Sequence, residues 1–239
     1  MNRRTLLYSG IATAVAAASR PVNASEVGAS TSTPLTRPID IRRTAHVCID
    51  LQNGFMEKGA PVEVPAARDI IPTVNAISAA IRKSEAINIF VQFTLGPLDV
   101  QSWSNWFARM PESQRPQQER FLERGSHYHQ LWPDLAVMPA DLKVEKSRFS
   151  AFIPGASNLD ELLKRRGLNT LIITGTLTNV CCESTARDAM QMNYRVIFIE
   201  DATAARTPAE HNAAIANMRS TFGELLTAKQ LTTALQEIS

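Results

Sequence analysis

Four short apolar runs in this chain are nearly unbroken, and stretches of helical periodicity separate most of them. The runs are Ala45 to Ile49, INIFVQFTL from Ile87, NTLIITG from Asn169 and YRVIFIED from Tyr194. A strand that is apolar on both faces needs cover on both faces, and a crossover of helix length between strands makes them parallel. Between and after the runs, Ile70, Ile71, Val74, Ile77, Ala80 and Ile81 recur at helical spacing within Arg68 to Ser84. Further helices are predicted over Asn158 to Arg166, stopped by Gly167, over Cys181 to Met192, and over Pro208 to Phe222. The stretch Leu142 to Glu145 alternates apolar and polar residues and reads as one more strand. The pattern predicts an α/β fold: a three-layer, Rossmann-like open sheet, mostly parallel, with helices on both faces. Residues 96 to 142, which hold all three tryptophans and little periodicity, read as a long loop region with short helices.

A chain of 239 residues suits one such domain plus a tail. The tail is the opening MNRRTLLYSGIATAVAAASRPVNASEV, with paired arginines, a short alanine-rich apolar stretch and the small-x-small triplet Val22-Asn23-Ala24. It resembles a bacterial twin-arginine export signal over residues 1 to 24, which predicts a periplasmic or exported protein; the alternative, a disordered extension with chance arginines, predicts a cytoplasmic one. The apolar part is too short for a membrane span, which takes about 20 residues, so no stable span is expected in the mature protein. Residues 25 to 38 read as a flexible linker, and 39 to 239 as the folded domain. The net charge is +2 and the basic residues form no runs, which argues against nucleic acid as a partner. Three cysteines, Cys48, Cys181 and Cys182, make an odd count, and the adjacent pair bridges only through a strained ring, so all three read as free thiols.

In open parallel sheets the active site lies beyond the carboxyl ends of the strands. Asp50, Lys146 and the pair Cys181-Cys182 all fall at or just after predicted strand ends. A thiol at the start of a helix sits at the positive end of its dipole, which predicts a lowered pKa. With a lysine to stabilise charge and a carboxylate to shuttle the proton, the set suits acyl transfer from an amide. A redox pair of vicinal thiols and a non-catalytic binding protein on the same fold are the rival readings.

Three blocks together, CIDLQNGF, VEKSRFSAF and TGTLTNVCCESTARDA, resemble the isochorismatase-like superfamily of cysteine hydrolases, which includes nicotinamidase, N-carbamoylsarcosine amidase and ureidoacrylate amidohydrolase. The resemblance implies that the run from Gly175 through Thr178 and Asn179 ends on the nucleophile, Cys181 rather than Cys182. It implies Asp50 as general base, Lys146 as catalytic lysine, and a cis peptide at Thr176-Leu177 that turns the Leu177 N–H toward an oxyanion beside that of Cys181. Helix rotation of about 100° per residue then sends Cys182 inward with Ala186 and Ala189. The expected reaction is hydrolysis of a C–N bond in a small amide or ureido compound, without cofactor.

The stretch QFTLGPLDVQSWSNW has no histidine where the nicotinamidase branch carries metal ligands, so no metal is expected. His127 and His129 lack a clear third ligand and read as loop contacts. The vinyl-ether hydrolases of the superfamily lack the cysteine, so Cys181 argues against that chemistry. Phe55, Trp103 and Trp106 are candidates for an apolar pocket wall, and Arg148 for meeting an anionic substrate. The resemblance also implies a homo-oligomer.

Overall fold

The computed structural model describes residues 35–237. The export signal read over 1–24 and the linker as far as residue 34 lie outside the described residues. The last residues read as linker are tied down: Thr36 bonds Glu224, and Arg195 donates to the carbonyls of Arg37 and Pro38.

One sheet of six strands organises the domain, in the order β3-β2-β1-β4-β5-β6, and every pairing is parallel. The strands are β1 (Thr44–Ile49), β2 (Ile87–Phe93), β3 (Leu142–Lys146), β4 (Thr170–Thr176), β5 (Arg195–Ala204) and β6 (Glu224–Leu226). Alternate residues of each strand serve opposite faces. Cys48 of β1 enters one core with Val74, Ile77 and Ile81 of α2 (Ile71–Arg82) and Leu231 and Leu235 of α9 (Ala228–Gln236). Ala45, Val47 and Ile49 enter the other, with Leu159 and Leu163 of α6 (Leu159–Arg165), Ala186 and Ala189 of α7 (Glu183–Gln191), and Ile215 of α8 (Pro208–Asn217). The result is the three-layer arrangement predicted from the apolar runs.

The structure adds β6 and α9, which the sequence pattern did not yield. It also ends the two helices of the C-terminal half differently. A wide turn of π-helical geometry, Thr178–Cys182, carries both cysteines ahead of α7, and a second, Met218–Phe222, follows α8. The irregular region 96–142 contains α3 (Pro97–Ser102), α4 (Ser104–Phe107) and α5 (Arg115–Arg120), while α1 (Asn53–Met56) follows β1. Among the described residues no helix is long and apolar enough to cross a membrane.

Candidate active site

Chain order places β1 in the middle, β2 and β3 to one side, and then returns to lay β4 on the other. The point where the order reverses, between β1 and β4, is where a parallel sheet opens a crevice at its carboxyl edge. Ile49 is in register with Gly175 and Phe93 with Lys146, so all four strand ends reach that edge together.

Asp50 follows Ile49 directly. Its N–H donates to the Val91 carbonyl at 2.9 Å, and its φ of 53° turns the chain out of the strand through the left-handed region, which non-glycine residues seldom occupy. Gln52 secures the exit from below: its amide donates to the carbonyls of Phe93 and His129 at 3.0 and 2.8 Å and accepts from the Phe93 N–H at 2.7 Å. Gln52 belongs to the CIDLQNGF block but offered no chemistry in sequence, so its positioning role was missed.

Lys146 ends β3, two strands away from β1, and reaches across β2 to donate its Nζ to Asp50 Oδ2 at 2.7 Å. The same nitrogen donates to the Arg148 carbonyl at 3.2 Å and lies 4.5 Å from the centre of the Phe93 ring. The Cys181 thiol, on the turn after β4, is close enough to Asp50 and Lys146 that each acts on the others' protonation, and the buried Asp50 Oδ1 has no hydrogen-bond partner among the described residues. The three side chains singled out in the sequence therefore meet at one point. Cys182 is buried against Ala186 and Ala189, its thiol 3.9 Å from the Thr174 carbonyl, and Cys48 lies inside β1.

Burial governs the protonation of this cluster. Asp50, Lys146 and Cys181 are 0, 1 and 1 % exposed. Burial raises the Asp50 carboxyl above its usual range, with Lys146 offsetting only part of the effect. For Lys146, burial works against the charge, but the Asp50 carboxylate and Cys181 outweigh it and hold the ammonium above its ordinary value. Burial also pushes the Cys181 thiol up, more strongly than Lys146 pulls it down. This corrects the expectation of a lowered thiol pKa: in the closed site desolvation, together with the neighbouring Asp50 charge, exceeds the help of the lysine.

The Thr176–Leu177 peptide is cis, as the family resemblance implied. The Leu177 carbonyl accepts from the N–H groups of Val180 and Cys182, while the Leu177 and Cys181 N–H groups have no carbonyl partner outside their own turn among the described residues.

Aromatic rings close the space above the lysine. Trp103 and Trp106 stack at 4.5 Å, and Phe149 meets them edge-on at 4.9 and 5.6 Å, with Phe93 6.3 Å from Phe149. Phe93 and Phe149 were not singled out in sequence, although Phe149 stands inside the VEKSRFSAF block. Phe55 lies in the apolar core on α1, and among the described residues it pairs with none of these rings. A cavity of about 510 Å³ borders Lys146, Ser147, Asp99 and Thr94 but does not reach Asp50 or Cys181. His127 pairs with Glu57 and His129 with Thr94, and among the described residues no three His, Cys, Asp or Glu side chains are arranged to hold a metal ion.

The family model for the isochorismatase domain matches residues 44–230. The chain belongs to the isochorismatase family. It is 29% identical over 204 residues to a ureidoacrylate amidohydrolase of Caulobacter vibrioides, covering 80% of this chain and 90% of the relative. It is 32% identical over 194 residues to the ureidoacrylate amidohydrolase of Pseudomonas syringae pv. syringae, covering 75% and 78%. Among solved structures it resembles a cysteine hydrolase from Pseudomonas syringae pv. phaseolicola, with a TM-score of 0.76, 27% identity and coverage of 87% and 100%. This isochorismatase-family protein is a hydrolase acting on carbon–nitrogen bonds.

Proposed function

We propose that the protein hydrolyses the C–N bond of a small amide or ureido compound through a thioester on Cys181. The observation that carries the reading is the meeting of the Cys181 thiol with the buried Asp50–Lys146 pair at the sheet's switch point. The names of its relatives favour a ureido compound.

The thiol stays neutral until attack. Burial makes the Asp50 carboxylate a stronger base than a solvated one, so it takes the S–H proton as sulfur bonds to the carbonyl carbon. The Leu177 and Cys181 N–H groups, which have no carbonyl partner outside their own turn among the described residues, donate to the oxyanion in this reading. When the tetrahedral intermediate collapses the C–N bond breaks, and the proton held by Asp50 passes to the departing nitrogen. Asp50 then takes a proton from water, whose oxygen attacks the thioester. The C–S bond breaks, the acid leaves, and Asp50 returns the proton to sulfur. Throughout, the Lys146 ammonium offsets the negative charge that moves between Asp50, sulfur and the oxyanion.

Ammonia release from a panel of primary amides and ureido compounds tests this. The wild-type chain is expected to turn over at least one of them, and Cys181→Ala and Asp50→Asn to lose about a thousandfold or more. Full activity in either variant would rule the mechanism out.

A further inference from the structure

The turn that carries Cys181 is tied to a helix that the steps above do not use. Thr178 opens the turn and is fully buried, and its Oγ1 lies 3.0 Å from Nδ1 of His211 in the first turn of α8. The Thr178 carbonyl already accepts from the Glu183 N–H, and among the described residues the buried Asn179 Oδ1 has no partner. Among the described residues no other side-chain hydrogen bond joins the turn to α8. Burial lowers the His211 pKa against the pull of Glu200, so near pH 7 the ring is neutral, with one nitrogen that donates and one that accepts. A hydroxyl both donates and accepts, so Thr178 fits either tautomer.

Leu177 sits between two such ties. On its other side Thr176 Oγ1 donates to the Ala204 carbonyl at 3.0 Å, and Ala204 ends β5 just before the segment that leads into α8. The residue whose N–H is assigned to the oxyanion is therefore held through both neighbours by the stretch from Ala204 to His211, and Cys181 follows in the same turn. His211 also lines a cavity of about 350 Å³ with Ile70, Ala204, Ala205 and Pro208, which puts the ring within reach of small solutes.

We propose that His211 is a positioning residue for the reaction: through Thr178 it fixes the turn in the arrangement where the Leu177 and Cys181 N–H groups meet the oxyanion. The proposal rests on the thioester reading and adds to it a residue that touches neither substrate nor thiol. Its effect belongs to the transition state, because the oxyanion forms only there, whereas the aromatic wall that would hold the substrate stands on other elements.

Steady-state kinetics on an amide or ureido compound that the wild-type chain turns over test this. His211→Ala is expected to lower kcat about ten- to a hundredfold and to leave KM within about twofold, since a slightly misplaced donor weakens the transition state and spares the bound substrate. Thr178→Val, which keeps the shape and removes the hydroxyl, should give the same loss, and the double variant no more than either single one. His211→Asn, whose amide can stand where Nδ1 stood, should keep most of kcat. Imidazole added to His211→Ala should enter through the cavity and restore part of kcat, and it should do nothing for Thr178→Val. If His211 merely packed α8 in place, Thr178→Val would keep the wild-type kcat and His211→Asn would serve no better than His211→Ala. Either result, or losses that add in the double variant, overturns the proposal; if His211→Ala does not fold, Thr178→Val and His211→Asn decide it. Failure of the thioester reading looks different: a wild-type chain that releases no ammonia, or a Cys181→Ala protein with full activity, removes both, whereas Cys181-dependent turnover with kcat unchanged in Thr178→Val removes this proposal alone.

Discussion

A side chain at position 175 has nowhere to go. Gly175 has φ +112°, and a Cβ built there would stand 2.1 Å from the carbonyl oxygen of Ile49, the residue before Asp50. Both strands that flank the crevice therefore depend on this one position, since β4 leads into the turn bearing Cys181 and β1 into Asp50. Gly175→Ala should force the strands apart and cost at least about 3 kcal/mol of stability, as backbone overlap in a packed sheet does. Thermal melting measures the loss, and ammonia release from whatever folds should fall with it; a variant that melts within a degree of the parent would contradict the argument. At this scale the sequence was informative about residues with reactive groups. Asp50, Lys146 and Cys181 stood at strand ends, and strand ends are readable from apolar runs. Gln52, Phe93 and Phe149 were hidden because an amide or a ring at an apolar position looks the same whether it holds a site or fills a core. The thiol's protonation was misjudged for a related reason: helix position is written in the sequence, whereas complete desolvation is a property of the assembled site.

Three neighbouring strands share a polar contact beneath the carboxyl edge of the sheet. His46 of β1 is fully buried, its Nδ1 2.8 Å from Asn88 Oδ1 of β2 and its Nε2 2.8 Å from Thr174 Oγ1 of β4, with Ser78 of α2 at 3.5 Å. Arg82 and Asp141, themselves paired, are the charged groups that act on it. Burial pushes the His46 pKa down from 6.5 to about 4. The folded protein then binds fewer protons here than the unfolded chain between those values, so the contribution to stability is complete above pH 6.5 and is lost as pH falls toward 4. Between pH 7 and pH 5 the expected loss from this residue is about 2 kcal/mol, from 1.36 kcal/mol per unit. Urea unfolding at the two pH values measures it. His129 and His211, also lowered, add to the slope in the same direction, so His46→Gln should flatten the curve without levelling it. An unchanged slope in that variant would refute the assignment. Elements were legible in proportion to their length and apolar period. The central strands and α2 were evident, whereas β6 has three residues and α9 buries only Leu231 and Leu235, too little periodicity to register. The wide turns at 178–182 and 218–222 continue a helical pattern by one residue too many per turn, which sequence spacing does not separate from an α-helix.

At the scale of the whole molecule, among the described residues the Cys181 thiol is 1% exposed and the cavity beside Lys146 does not reach it, so the proposed reaction needs a cover that moves. We take α3 with α4 as the cover, because Trp103 between them meets Phe93, the ring over Lys146. No side chain of α3 is buried, Leu98 on it is 78% exposed, and α4 buries only Phe107. It is held by Phe107, buried in the core, by Val100, Trp103 and Trp106 packed against that core, by the contacts of both tryptophans with Phe149, and by the Arg148 bond to Ser102. A segment anchored by so few buried groups opens at low cost compared with the sheet beneath it. Iodoacetamide reports the opening, because a buried thiol with a raised pKa reacts only when exposed. Cys181 in the wild-type protein should label far more slowly than a free cysteine peptide at pH 8. Trp103→Ala should raise that rate about tenfold or more by removing the ring that spans Trp106, Phe149 and Arg148. Cys48 lies within β1 and Cys182 against Thr174 of β4, so both should stay unlabelled in both proteins until they unfold. Mass spectrometry of the digested protein separates the three sites. Labelling of wild-type Cys181 at the rate of the free peptide would mean that the cover does not protect it. An equal rise at Cys182 in Trp103→Ala would mean that the variant loosened the sheet rather than the cover, and either result would remove the case for a gated site.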